Sequence, residues 1–145
     1  MSKIFSHPPE SSSKELLAAC DLPTSDLEAG HFDHFLGYGT KESLQGLVGV
    51  ELFESNGLLR SLAVAEEARG SGAGKALLNS IESYAQERGV QTLYLLTTTA
   101  DAFFSRNGYA EVSRDVAPES IRQTPEFAGI CPDNATFMMK TLLAD

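Results

Sequence analysis

The residues best suited to chemistry in this sequence form a cluster of glycines flanked by two cations. The run reads Arg69, Gly70, Ser71, Gly72, Ala73, Gly74 and Lys75. Glycines at the start of a helix let a ligand approach backbone N–H groups that have no partner within the helix, and the helix dipole is positive at that end. Phosphate groups bind at such helix ends. The run therefore predicts a phosphate-binding loop.

Two common glycine-loop motifs do not fit this run. The P-loop needs Ser or Thr after its lysine, and Ala76 follows Lys75. The dinucleotide motif G-x-G-x-x-G, started at Gly70 or Gly72, places Lys75 or Leu77 where its third glycine belongs. A glycine turn that simply joins a strand to a helix remains the alternative.

The elements that must position the loop are a strand before it and a helix after it. Residues 58–65 are an apolar run that predicts the strand. A helix from about Gly74 to Gly89 is predicted by apolar positions that share one helical face, namely Leu77, Leu78, Ile81, Tyr84 and Ala85.

Two motifs of this chain resemble the GCN5-related N-acetyltransferase (GNAT) family. Arg69-x-x-Gly72-x-Gly74, five residues after Val64, is similar to the family's R/Q-x-x-G-x-G/A loop for the pyrophosphate of acyl-CoA. Downstream, the stretch from Ala100 to Tyr109 is similar to the family pattern A-x-x-F-Y-x-x-x-G-F. The resemblance implies an acetyltransferase with acetyl-CoA as cosubstrate and without a metal.

The order of predicted elements agrees with the fold that this resemblance implies. Extended runs at residues 35–39, 47–53 and 58–64 predict an antiparallel meander, with Asn56-Gly57 as a hairpin turn. A strand over 92–97 and a last strand over 135–142 follow the loop and its helix. We expect an α/β (α+β) fold with a mixed, mostly antiparallel sheet of about six or seven strands, helices on both faces and a central splayed strand pair.

The N-terminal and C-terminal segments complete one predicted domain over residues 1–145. Residues 1–11 are expected to be a flexible terminus. Ser12 with Glu15, and Ser25 with Glu28, are capping-box patterns that predict two short helices. A tail segment containing Pro118 is expected to fold over the acceptor site.

The resemblance also implies which residues contact acetyl-CoA. Besides the loop from Arg69 to Lys75, they are Leu62, Ala63 and Val64 on the strand before it, and the aromatic pair Phe103 and Phe104. In the family the backbone of that strand binds the pantetheine arm, and the N–H of Val64 would point at the thioester carbonyl.

The catalytic acid and base are less well defined. Counting back from Arg69 places Leu58 where many relatives carry a glutamate, so Glu51 on the preceding strand is the predicted base. Phe104 stands where the family's tyrosine often protonates the CoA thiolate, which leaves the acid in doubt. Because a thiol pKa is about 8.5, the thiolate can leave without an acid. Further candidates for the base are Glu54, His31 and His34.

Two subgroups of the family look closest. The segments 59–64 and 94–104, with Phe127 and Cys131-Pro132, resemble the small acetyltransferases encoded with arsenic-resistance genes, and the end of the 92–97 strand also resembles the acetylating domain of N-acetylglutamate synthases. Both imply an amino acid, or a toxic analogue of one, as acceptor of the acetyl group. Residues predicted to hold it are Arg60, Thr97 and Arg122, with Arg106 as a further arginine.

Alternatives to this function are a CoA-binding sensor without turnover and an enzyme that acetylates proteins. Phe104 and the missing glutamate at Leu58 motivate the sensor. A panel of amines would separate it from the small-molecule enzyme, since a sensor would bind CoA and acetylate none of them.

Composition excludes several other classes of protein. The formal charge of −9 argues against binding to nucleic acid or anionic membranes, so any CoA site must be a local positive spot. No apolar run reaches the roughly 18 residues of a membrane span, and we expect a cytoplasmic protein. Cys20 and Cys131 lack the spacing of a zinc or disulfide site, which predicts free thiols. Homodimers are common in the family, so the resemblance also allows a homodimer.

Overall fold

The computed structural model describes residues 4–20, 22, 24, 27, 29–98, 100–125, 127–128 and 135–142. Within them the strands are β1 (Ile4–Ser6), β2 (Phe35–Gly39), β3 (Leu44–Phe53), β4 (Asn56–Val64), β5 (Thr92–Thr97), β6 (Ala110–Glu111) and β7 (Thr136–Thr141). The α-helices are α1 (Glu10–Ala19), α2 (Ala73–Glu87), α3 (Asp101–Arg106) and α4 (Glu119–Arg122). Short 3₁₀ helices lie at Ala29–His34, Glu66–Ala68 and Arg114–Val116.

The strands form one seven-stranded sheet in the order β1-β2-β3-β4-β5-β7-β6. The pairs β1/β2, β2/β3, β5/β7 and β6/β7 are antiparallel. By contrast, β4 and β5 run parallel, which requires a long crossover, and α2 lies in that connection. The predicted mixed, mostly antiparallel sheet of about six or seven strands is confirmed.

The chain divides into two compact units. One comprises Met1–Glu51 with Leu59–Tyr84, and the other comprises Leu52–Leu58 with Ala85–Asp145. Buried residues of a core cluster in the first unit are Leu17, Leu27, Phe32, Phe35, Leu47 and Ala63. Those of a cluster in the second unit are Leu58, Tyr94, Ala117, Ile121 and Phe137. That the 145 residues act as a single domain remains a prediction.

The N-terminal segment, expected to be a flexible terminus over residues 1–11, contains regular elements within its described part, residues 4–11, and its flexibility remains a prediction. Ile4–Ser6 pair with Leu36–Tyr38 of β2, so this segment supplies an edge strand. Helix α1 also begins at Glu10, two residues before the predicted cap at Ser12, and its N-cap is Pro9, which has an extended backbone. Both the N–H and the hydroxyl of Ser13 donate to the Pro9 carbonyl oxygen, at 2.9 Å and 2.6 Å, so the first helical turn includes Pro9. Ser25 and Glu28, the second predicted cap, lie outside the described residues.

The turn between β3 and β4 is not at Asn56-Gly57, as the sequence predicted, but at Glu54 and Ser55. Asn56 and Gly57 pair with Thr92 and Leu93 of β5 and thus belong to β4. Because Asn56 and Gly57 pair with β5, the chain reverses its direction at the two residues before them. Glu54 adopts a φ of 59°, which is uncommon for a residue with a side chain.

Helix α2 and strand β5 agree with their predictions. The predicted apolar face of α2 is fully buried at Leu77, Leu78, Ile81 and Ala85. Gly89 follows α2 with a φ of 91°, the conformation in which glycine commonly ends a helix. Strand β5 spans the predicted Thr92–Thr97. Within the described residues, no helix has both the length and the apolar character that crossing a bilayer requires.

In the second unit, Tyr94 of β5 stacks on Phe137 of β7. The two rings lie 5.5 Å apart between centroids with an interplanar angle of 7°. The ring of Phe127 also packs edge-on against the ring of Phe137, with 5.4 Å between the ring centroids. Burial raises the pKa of the Tyr94 hydroxyl above its ordinary value of 10.0, because the phenolate would lose hydration there.

Candidate functional site

The glycine loop joins the end of β4 to the first turn of α2. Gly70 and Gly72 adopt φ values of 81° and 87°, which L side chains rarely adopt. A Cβ atom added at either glycine would have no neighbour within 4 Å, so the loop needs glycine for its backbone conformation. The hydroxyl of Ser71 donates to the carbonyl oxygen of Ala68 and closes the turn. The backbone of this loop is thus open on its outer side.

The N-terminus of α2 has the charge distribution of an anion site. The first turn of this fifteen-residue helix carries no acidic side chain, and Lys75 is exposed within it. The first helical hydrogen bond here runs from the N–H of Ala76 to the carbonyl of Gly72 at 3.0 Å. The N–H groups that precede Ala76 in the helix lie at its positive end and have no partner within the helix. These features fit a phosphate-bearing ligand.

Arg69 has a role that the motif does not reveal. Its Nε donates to the carbonyl oxygen of Val64 at 3.0 Å, and its Nη2 lies 3.8 Å from the Sγ of Cys20. The thiol of Cys20 in turn lies 3.8 Å from the same carbonyl oxygen. The arginine therefore fastens the loop to the end of β4 and to the residue that caps α1, in addition to placing positive charge there.

The strand before the loop presents Leu62, Ala63 and Val64 at its C-terminal end. Ala63 is buried, and its two neighbours are half-buried. In the part of the chain that the structure describes, the parallel ladder between β4 and β5 pairs Asn56–Leu58 with Thr92–Tyr94, and β4 itself continues for six residues beyond Leu58. The splayed strand pair remains a prediction. The contact of these residues with acetyl-CoA remains a prediction.

The predicted base Glu51 and the predicted carboxylate binder Arg60 form an ion pair. The Nη1 of Arg60 donates to the Oε2 of Glu51 at 2.9 Å. The Arg60 side chain is 0% exposed and that of Glu51 is 13% exposed. Neighbouring strands β3 and β4 bring the two residues together, a pairing that depends on strand register. Their roles toward a substrate remain predictions.

The other candidates for the base lie elsewhere in the first unit or at the turn. The Nδ1 of His34 is 2.8 Å from the hydroxyl oxygen of Tyr84. Glu54 is exposed at the turn between β3 and β4. The histidine therefore has a structural partner on α2 that the sequence did not indicate.

The aromatic pair of α3 lies in the second unit. Phe104 is 4% exposed, and its ring meets those of Phe103 and Tyr109 edge-on at 5.3 Å and 5.4 Å. The position at which the family often has an acid is therefore filled by a packed hydrocarbon ring. Tyr109 is also buried, and the Nζ of Lys140 lies 5.6 Å from the centre of its ring.

Two predicted substrate residues of the second unit bond to nearby backbone. The Oγ1 of Thr97 accepts a hydrogen bond from the N–H of Ala100 at 3.0 Å. Arg122 is exposed and donates to the carbonyl oxygens of Ala117 and Asp115. The Thr97 bond lies at the start of α3, whereas the two Arg122 bonds join α4 to the segment before it. Cys131 and Pro132, part of the resemblance noted above, lie outside the described residues.

A cavity of about 650 Å³ adjoins Arg69 in the first unit. The surrounding side chains come from α1, from the β2–β3 connection and from the segment after β4, and they include Glu15, Cys20, Glu42, Glu66, Glu67 and Arg69. In the part of the chain that the structure describes, no group of three or more His, Cys, Asp or Glu residues is placed to hold a metal ion.

Comparisons with known proteins bear on this geometry. The model of the "Acetyltransferase (GNAT) family" matches residues 3–110. An uncharacterised N-acetyltransferase of Chlorobaculum tepidum is 40% identical over 63 residues, which make up 43% of this chain and 40% of that protein. An amino-acid acetyltransferase of Ralstonia nicotianae is 33% identical over 70 residues, 48% of this chain and 16% of that protein. The matched segments span less than half the length of these curated relatives.

A solved structure shares the fold. The N-acetylglutamate synthase of Neisseria gonorrhoeae, solved with coenzyme A and N-acetyl-glutamate, superposes with a TM-score of 0.84. The alignment covers 99% of this chain and 36% of that chain at 22% sequence identity. A likeness at this identity shows the fold alone.

Proposed function

Because the chain belongs to the acetyltransferase (GNAT) family, we propose that it transfers the acetyl group of acetyl-CoA to the amine of a small molecule. Acetyl-CoA supplies the acetyl group as a thioester. In the transfer, the amine nitrogen bonds to the carbonyl carbon, the carbon–sulfur bond breaks, and the amine loses a proton while the thiolate leaves. The protein must keep the amine of the acceptor neutral, and it must stabilise the oxyanion that develops on the carbonyl oxygen.

The observation that carries this proposal is the glycine loop at the start of α2. Positive φ at Gly70 and Gly72, an exposed Lys75 and a first helical turn without acidic residues all suit a pyrophosphate. In a chain with a net charge of −9, such a spot has to be built locally. Arg69, bonded to the Val64 carbonyl, keeps the loop at the end of β4.

Each catalytic role in the proposal has a named candidate. The N–H of Val64 would stabilise the oxyanion, as the family resemblance implies. Glu51 would accept the amine proton directly or through water, although its carboxylate also pairs with Arg60. A proton for the thiolate would come from solvent, since Phe104 offers none.

For the acceptor we propose an amino acid or an analogue of one. Support comes from a relative named an amino-acid acetyltransferase and from the likeness to an N-acetylglutamate synthase. The finer proposal, a toxic arsenic- or phosphorus-containing analogue, rests on the resemblance to acetyltransferases encoded with arsenic-resistance genes. Arg60, Thr97 or Arg122 would then hold the carboxylate of the acceptor.

The proposal is tested by a calorimetric titration with acetyl-CoA, followed by an acetylation assay on a panel of amines. We expect micromolar binding and turnover that favours glutamate-like amino acids. No binding of acetyl-CoA would refute the proposal at its first step. Binding without turnover of any amine would favour the CoA-binding sensor, and turnover of peptides alone would favour a protein acetyltransferase.

A further inference from the structure

Ser61 has an unusual backbone conformation inside strand β4. Its φ is 62°, in the left-handed region, although the strand continues on both sides from Asn56 to Val64. Residues with a side chain rarely adopt this conformation, and they do so at a cost in free energy. Something in the surrounding structure must therefore hold the backbone of Ser61 in place.

Arg60 makes the contacts that can do this. The Nε of Arg60 donates to the Oγ of Ser61 at 3.1 Å, while its Nη1 donates to the Oε2 of Glu51 at 2.9 Å. All three residues belong to the first unit, and Arg60 and Ser61 are buried. A buried guanidinium has a fixed fork of donors, so a carboxylate on one nitrogen determines where the next nitrogen points. The result is a chain of contacts from β3 to the hydroxyl of Ser61.

We infer that Glu51, Arg60 and Ser61 form a clamp that holds the left-handed backbone at Ser61 and thereby positions the end of β4. The segment Leu62–Val64 follows Ser61 directly and leads into the glycine loop. A change of φ at Ser61 would rotate the N–H and C=O groups of this segment. Arg60 and Ser61 are thus positioning residues in this inference.

The link to acetyl-CoA rests on the proposed function, in which Leu62, Ala63 and Val64 contact the cosubstrate. The clamp itself does not, because it concerns backbone conformation in the protein alone. Two measurements therefore separate the two statements. One uses stability without any ligand, and the other uses acetyl-CoA affinity.

The stability measurement compares Ser61→Ala with Ser61→Gly. In an ordinary strand, glycine is less stable than alanine. At a left-handed position the order reverses, since glycine adopts positive φ without strain and alanine does not. We expect Ser61→Gly to melt at a higher temperature than Ser61→Ala. The matched control is Ala63→Gly in the same strand, which should melt below wild type.

Arg60→Lys tests the contact that holds Ser61. Lysine keeps a positive charge for Glu51 but has no Nε–H in the guanidinium geometry. If the clamp exists, Arg60→Lys and Ser61→Ala remove the same interaction, and the double variant should be no less stable than the poorer single variant. Effects that simply add would overturn the clamp, as would Ser61→Ala melting above Ser61→Gly.

The affinity measurement is a titration of the same variants with acetyl-CoA, well below their melting temperatures. We expect Ser61→Ala to bind about tenfold more weakly than wild type, from the strain that a left-handed residue stores. Ser61→Gly should recover part of that loss. Equal affinity for acetyl-CoA in wild type, Ser61→Ala and Ser61→Gly would overturn the positioning role, even if Ser61→Gly is more stable than Ser61→Ala. Failure of the wild type to bind would instead refute the proposed function.

Discussion

Individual residues of the glycine loop are constrained by conformation and by charge, and the two can be separated at Gly72. Its φ of 87° strains any L-residue, while the space around it is open. Alanine at this position tests the strain alone. Glutamate adds a negative charge at the start of α2, where phosphate groups are expected.

We predict that Gly72→Glu weakens acetyl-CoA binding by about tenfold or more relative to Gly72→Ala, through charge repulsion at short range. A carboxylate at a helix N-terminus favours the helix itself, so the Glu variant should be at least as stable as the Ala variant. Gly89→Ala, strained at a φ of 91° but outside the loop, is the control that should lose stability and keep affinity. Equal affinities of the Glu and Ala variants, measured by calorimetry, would contradict the loop assignment.

Glu51 is the second residue whose two roles can be separated. If Glu51 is the base, Glu51→Gln removes that role, because a glutamine amide does not take up the proton of the amine. The amide oxygen of glutamine still accepts a hydrogen bond from Arg60. We predict about a hundredfold lower kcat for this variant, with acetyl-CoA affinity nearly unchanged. The measurement is a pH–rate profile, from which the acidic limb of the wild type should disappear. A profile of the same shape in both proteins would mean that Glu51 is not the base.

At the level of elements, strands β2 and β5 have their predicted bounds, and β7 is one residue shorter at each end than predicted. Strand β5 has its predicted bounds because a short, nearly continuous apolar run is typical of a strand that is buried on both faces. The turn before β4 was misplaced, since Asn56 and Gly57 pair with β5, and pairing between distant segments is not visible in a local pattern. For the same reason β1 escaped notice: three residues become a strand only because β2 lies beside them.

Pairing of β5 with β7 also buries Tyr94, and we predict an alkaline effect on stability from it. Its raised pKa means that the folded state keeps the phenol proton above pH 10, where the unfolded chain releases it. The stabilisation is therefore complete below pH 10 and declines as the pH rises toward the folded value. Tyr94→Phe should show a shallower loss of unfolding free energy between about pH 9 and 11 in urea titrations. An unchanged slope would show that Tyr94 ionises equally in both states.

Over the whole molecule, the sequence was most informative where function depends on backbone. The Arg69-x-x-Gly72-x-Gly74 motif identified the loop, because few residues other than glycine adopt its conformation. By contrast, the Glu51–Arg60 contact depends on the register of two strands, and the left-handed φ of Ser61 depends on that contact. Neither has a signature in residue types or spacing. Side chains that meet across strands are the part of the site that only the structure supplied.

The open space around Gly70 and Gly72 raises a question of chirality. An added L-Cβ has no neighbour within 4 Å at either position, so side-chain volume is not what excludes other residues. Positive φ excludes them, and it is the region that mirror-image residues prefer. D-alanine, placed there by chemical synthesis, would match the backbone that L-alanine strains. Among genetically encoded residues, glycine alone lacks a chiral centre, which makes it the natural choice for this loop.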